Sequence, residues 1–212
     1  MKVSIRSDSV EIEGYVNAIE RDSKPLMSRI GRFIERICKG AFSNALKRND
    51  DVHLLLNHNW DRDLGSTKQG NLELREDNIG LHARAVITDP DVIEDARHGN
   101  LVGWSFGFLD TPDGVIEARS EDGLPLRKVR DMDLREVSIL NRKKSPAYDG
   151  NLITVRSDEE MQYRGEDFMD ELEITEETQE TREQPQMQDE KPVEIDYSKY
   201  EDMILEMKGE KS

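Results

Sequence analysis

Cysteine is almost absent. One residue, Cys38, in 212 rules out an intrachain disulfide and a cysteine-built zinc site. Long apolar runs are missing too: nowhere do 18 apolar residues follow one another, so no transmembrane helix is expected. The opening MKVSIRSDSVEIEG has no apolar core and does not read as a secretory signal. These absences point to a soluble protein of a reducing compartment, most simply the cytoplasm. There is no GxGxxG, no P-loop and no HExxH, and His53 and His58 stand five apart, not the four that places two ligands on one helix face. Acidic residues outnumber basic ones, giving a net charge of −16, but the excess is local. Residues 157–212 hold 20 acidic against 6 basic residues, while residues 1–156 hold 26 against 24. A near-neutral body therefore carries a polyanionic tail, which disfavours nucleic acid as the tail's partner.

What is present is a series of short strand-like segments. Val10–Ile19 alternates and suggests a strand with a bulge at Gly14, and residues 21–28 read as loop. Residues 30–37 suit a strand or a helical turn; residues 43–48 suit a short helix capped by Ser43. Residues 52–56 form a compact apolar run, and residues 61–65 read as a turn. Residues 71–75 and 81–86 pair as a hairpin. Residues 90–99 make the clearest helix, with Asp89 as cap, Pro90 in the first turn and Gly99 at the end. Further strands are expected at 101–108, 115–119, 130–140 and 152–155. The fold class is mainly β (β-rich α+β): a small, mostly antiparallel β-barrel with a few short helices, since closure removes open edges. Residues 1–156 form the domain. Residues 157–212 form an acidic tail too polar for a core, with a helix expected at 197–207.

One hydroxyl stands out. Ser105 lies among apolar and aromatic neighbours, between Gly103 and Gly107. Burying it without a partner costs about 1–3 kcal/mol, so it either bonds a nearby carbonyl or serves as a nucleophile. The letters of Gly103 to Gly107 match G-x-S-x-G, but the chain lacks the alternating strands and helices of an α/β-hydrolase. A nucleophilic serine needs a base, and the base an orienting group. His58 follows Leu54-Leu55-Leu56 directly, so a strand would hold its backbone; it is either a turn histidine or that base. Glu136 lies among Leu134, Val137 and Ile139; by simple alternation it shares a face with Leu134 and Ser138. It suits either an edge-strand carboxylate or the group that fixes the imidazole.

Taken together, six segments resemble the prohead maturation proteases of tailed phages, which share an assemblin-like fold with herpesvirus maturation proteases. They are residues 39–42, Leu56-Asn57-His58-Asn59 with Leu64-Gly65, Gly80-Leu81, residues 99–108, residues 134–139, and Pro146-Ala147-Tyr148. The resemblance implies a serine endopeptidase that needs no cofactor or metal, with Ser105 as nucleophile and His58 as general base. Glu136 would be the third member, where herpesvirus relatives use a second histidine. Gly103 and Gly107 would let substrate approach Ser105. The basic loop with Lys144 and Ser145 would contribute to an oxyanion hole. Trp104 departs from the family, which usually has a smaller or more flexible residue there. The implied partners are capsid protein and scaffold in the host cytoplasm, inside the assembling procapsid. Neither nucleic acid nor membrane is required, and a homo-oligomer is compatible. The enzyme would also cut itself. The rivals are a non-catalytic capsid-assembly or scaffolding protein with an acidic docking tail, and a hydrolase of small esters.

Overall fold

Alternation of apolar and polar residues produces strands, and a computed structural model shows how they assemble. It describes residues 1–28, 31–142, 161–165 and 173–176. Contacts divide the chain into residues 1–178 and 179–212, and every described residue belongs to the first unit. The strands are β1 (Lys2–Ile5), β2 (Val10–Ala18), β3 (Leu26–Ser28), β4 (Gly31–Ile37), β5 (His53–Leu56), β6 (Asn59–Ser66) and β7 (Leu72–Glu76). They continue as β8 (Gly80–Ile87), β9 (Leu101–Asp110), β10 (Val115–Arg119), β11 (Pro125–Val129), β12 (Met132–Asn141), β13 (Gln162–Gly165) and β14 (Glu173–Glu176). Two helices, α1 (Ala41–Arg48) and α2 (Pro90–Arg97), complete the described residues.

The fold is mainly β. Three sheets form, in the orders β14-β1-β2-β8-β7, β10-β11-β4-β3 and β13-β9-β12-β5-β6. Pairing is mostly antiparallel; β1 with β14, β4 with β11 and β5 with β12 run parallel. Among the described residues no closed barrel is seen. The core gathers inward-facing residues of the sheets: Ile12 and Ala85 from the first, Phe106, Phe108 and Ile139 from the third. Fully burying a side chain of this size contributes roughly 1.5–3 kcal/mol.

Several expectations need revision. Residues 26–28 pair with β4 instead of forming loop, and residues 61–65 continue β6 instead of turning. The irregularity in β2 falls between Tyr15 and Asn17, not at Gly14. Gly14 serves close packing instead: a Cβ there would stand 3.3 Å from Met1 Cα and 3.5 Å from Trp104 Nε1. Ser43 does not cap α1. Its N-cap is Gly40, which has no side chain to cap with, and the Glu76 carboxylate accepts from Gly40 N at 2.6 Å and Ser43 N at 2.7 Å, so donors that a local side chain usually satisfies are met from β7. The α2 cap is as expected, with Asp89 accepting from Asp91 N and Val92 N. The strand expected at 152–155 and the helix at 197–207 lie outside the described residues.

Candidate active site

The site lies on the third sheet, on the face turned away from its core. Trp104, Phe106 and Phe108 of β9 point into the core, so Gly103, Ser105 and Gly107 lie on the other face by strand alternation. Their partners across β12 are Leu140, Ser138 and Glu136. Strict alternation along β12 would put Glu136 on the core side with Leu134 and Met132. It does not, because the register shifts between Leu134 and Glu136, leaving Arg135 as an extra residue. Core positions are Met132 and Leu134 before this bulge and Val137 and Ile139 after it. The bulge re-aims Glu136 onto the face of Ser105. The alternation reading that grouped Glu136 with Leu134 is therefore corrected, while its grouping with Ser138 stands.

His58 reaches this face from a tight turn. Leu56 pairs with Asn59, so Asn57 and His58 form a two-residue hairpin loop. Both are left-handed, with φ of 55° and 56°, the backbone that such a turn requires. Asparagine and histidine are among the non-glycine residues found most often in this uncommon conformation, and the turn is held by its surroundings. Asn57 N donates to Ile139 O at 2.9 Å, and Asn57 Nδ2 donates to Asn141 Oδ1 at 2.8 Å. Asn141 N donates to Asn57 Oδ1 at 3.1 Å, and Asn141 Nδ2 donates to the buried Asp95 Oδ2 at 2.7 Å. A chain of buried amides thus links α2 to the turn.

His58 is tied to one carboxylate twice, through its ring and through its backbone. His58 Nδ1 lies 2.8 Å from Glu136 Oε1. The backbone N–H of His58 donates to Ser138 Oγ at 3.0 Å, and Ser138 Oγ donates to Glu136 Oε2. Glu136 is fully buried and the His58 side chain is 6% exposed, so the carboxylate depends on these partners to compensate for lost hydration. An ionised carboxylate only accepts, so the proton of the neutral ring sits on Nδ1 and Nε2 keeps its lone pair. The other histidines are engaged elsewhere: His53 Nδ1 with Asp63 at 2.8 Å, His82 Nε2 with Glu13 at 3.3 Å, and His98 Nδ1 with the Glu94 carbonyl at 2.8 Å.

Ser105 is 1% exposed, and its hydroxyl donates to the Arg164 carbonyl of β13 at 2.7 Å. Among the described residues no hydrogen bond joins it to His58. The structure thus brings His58 and Glu136 together and sets Ser105 on their face, opposite Ser138. Gly103 is buried on the same strand. Gly107 makes room for the carboxylate: a Cβ there would lie 2.4 Å from Glu136 Oε1 and 2.9 Å from Tyr163 Cε1. Lys144 and Ser145 lie outside the described residues. Sequence reading overlooked the roles of Ser138, Asn57 and Asn141; Ser138, two residues beyond Glu136, was the one with a usable signal. Tyr163 was overlooked as well, and its ring centroid lies 4.5 Å from that of His58.

A buried serine sharing a sheet face with a carboxylate-held imidazole is the equipment of an acyl-transfer hydrolase. A family model described as caudovirus prohead serine protease matches residues 1–164. The chain belongs to this family, and it is a serine endopeptidase of prohead maturation in a tailed phage. No curated protein and no solved structure matches it.

Proposed function

We propose that Ser105 is the nucleophile of this peptidase, His58 its general base, and Glu136 the carboxylate that orients the imidazole and stabilises its protonated form. The observation that carries the reading is the buried 2.8 Å contact between His58 Nδ1 and Glu136 Oε1 on the face of Ser105. Turning Ser105 Oγ from the Arg164 carbonyl toward His58 Nε2 would start the reaction. Oγ adds to the scissile carbonyl carbon while Nε2 takes its proton, and Glu136 stabilises the imidazolium. The proton then passes to the leaving amine, and water repeats the cycle on the acyl-enzyme. Backbone donors to the oxyanion are worth about 3 kcal/mol each. Gly103 and the loop with Lys144 and Ser145 are the proposed contributors.

The substrates in this reading are scaffold and capsid-protein segments of the assembling procapsid, and the chain itself. It acts without cofactor, nucleic acid or membrane, is compatible with a homo-oligomer, and its three sheets are segments of an assemblin-like barrel. Residues 1–156 serve as the protease domain, two of whose sheets are extended by β13 and β14 from the acidic segment, and that segment also serves as a tether or self-substrate. Co-expression with the capsid protein and scaffold, followed by intact-mass measurement, tests this. Wild type should shorten its partners and itself, whereas Ser105→Ala and His58→Ala should leave every mass full length. Normal processing by Ser105→Ala would overturn the assignment.

A further inference from the structure

Strand β13 occupies the position that an extended substrate would take. It adds antiparallel to β9, the strand of Ser105, with Gly165 opposite Ser105 and Arg164 opposite Phe106. Addition of a strand to a sheet edge is a common way to hold an extended peptide, with the backbone supplying affinity and alternate side chains specificity. The Arg164–Gly165 peptide group lies against the nucleophile, since Ser105 Oγ donates to the Arg164 carbonyl at 2.7 Å. Tyr163, one residue back, packs on the His58 imidazole.

The Arg164 side chain enters a pocket shaped for it. Its Nε donates to Glu35 Oε1 at 2.6 Å and its Nη2 to Glu35 Oε2 at 2.9 Å. The guanidinium carbon lies 5.6 Å from the Phe108 ring centroid and 5.9 Å from that of Phe33. Glu35 is 4% exposed. Arg127 approaches Glu35 too, at 3.6 Å, but holds Asp110 at 2.7 Å as its own partner. Glu35 and Asp110 share the single charge of Arg127, whose Nε makes no hydrogen bond to Glu35, so Arg127 alone leaves the buried Glu35 carboxylate without a hydrogen-bonded counter-charge. The pocket therefore demands a cation, and its two-pronged acceptor and aromatic walls suit arginine better than lysine.

We infer that the groove along β9 selects a strand with arginine, or less well lysine, immediately before the bond to be cut, with Glu35 as the residue that sets this preference. Residues 162–165 are the chain's own occupant of the groove, and Arg164–Gly165 is the bond it cuts in itself. The inference rests on the catalytic assignment proposed above. Ser105 Oγ forms an ester with the Arg164 carbonyl carbon as its proton passes to His58. The carbon–nitrogen bond breaks, and that proton goes to the Gly165 nitrogen. Water then releases the Arg164 carboxylate and restores the serine. With β13 seated, Ser105 is 1% exposed, so another peptide must displace it or await its cleavage.

The test maps cuts in the full chain by mass spectrometry and assays synthetic peptides differing only in the residue before the cut. Wild type should yield a fragment ending at Arg164 and one beginning at Gly165, both absent from Ser105→Ala. Arginine peptides should surpass glutamine and glutamate peptides roughly thirtyfold or more in kcat/KM, the scale expected for one partner of a buried charge pair. Glu35→Gln, verified as folded by circular dichroism, should erase most of that ratio. Cleavage after residues other than arginine or lysine overturns the specificity and leaves the protease reading intact. An unchanged arginine preference in Glu35→Gln overturns the role of Glu35. Absence of cleavage in every wild-type sample overturns the catalytic assignment and this inference with it. If Glu35→Gln does not fold, the wild-type cut positions decide.

Discussion

Adding one methyl group at Gly107 should disable the enzyme without unfolding it. A Cβ there would sit 2.4 Å from Glu136 Oε1, where ordinary contact needs about 3.4 Å, so the carboxylate must retreat by about 1 Å. That same oxygen holds His58 Nδ1 at 2.8 Å, and the retreat breaks or misdirects the bond. Misplacing a reacting group by about 1 Å costs on the order of a hundredfold in rate, and overpacking costs about 1–3 kcal/mol in stability. Gly107→Ala should therefore lower kcat/KM about a hundredfold in a peptide-cleavage assay while retaining a cooperative urea transition. A shorter carboxylate relieves the clash, so Glu136→Asp should cost less in the Gly107→Ala background than alone. Full activity in Gly107→Ala, or strictly additive losses in the double variant, would refute the reasoning.

Ser138→Ala removes the hydroxyl that receives the His58 N–H and donates to Glu136. Unpaired buried groups should cost about 1–3 kcal/mol, read from the urea midpoint, and kcat should fall roughly tenfold at unchanged KM; unchanged kcat removes Ser138 as a positioning residue. The Ile79 N–H and then the Tyr15 hydroxyl hold the Asp77 carboxyl below the ordinary carboxylate range. A depressed carboxylate stabilises the fold fully above its unfolded-state pKa, and this stability is lost as pH falls through the lower folded value. Asp77→Asn should thus destabilise at pH 6, with the deficit shrinking below about pH 4; a constant deficit in melts across that range contradicts the linkage.

Much of the body was legible because local patterns agreed with the final environment. The hairpin of β7 and β8 carries clean alternation, and α2 carries its own cap, first-turn proline and terminal glycine. The candidate site of Ser105, His58 and Glu136 was proposed from the sequence for a different reason: short segments around them resemble one family. Four features were not legible. The bulge at Arg135 inverts the parity of β12, and the β9 partner that shows this shift is remote in sequence. The Asn57–His58 turn lacks glycine, and contacts to Ile139 and Asn141 hold it. The α1 cap comes from Glu76, 33 residues beyond Ser43. Strand β13 reads as polar tail, since residues 162–165 are Gln-Tyr-Arg-Gly.

By itself, then, the sequence determined a strand-rich body, the ends of α2 and the residue types of its candidate chemistry, all of which follow from periodicity and side-chain identity. The tertiary structure decided which face Glu136 joins, how His58 is held through its ring and its backbone, and that Arg164 pairs with Glu35 across 129 residues. Each of these depends on register and on burial against a distant strand. Such pairings become favourable only when both partners leave water together.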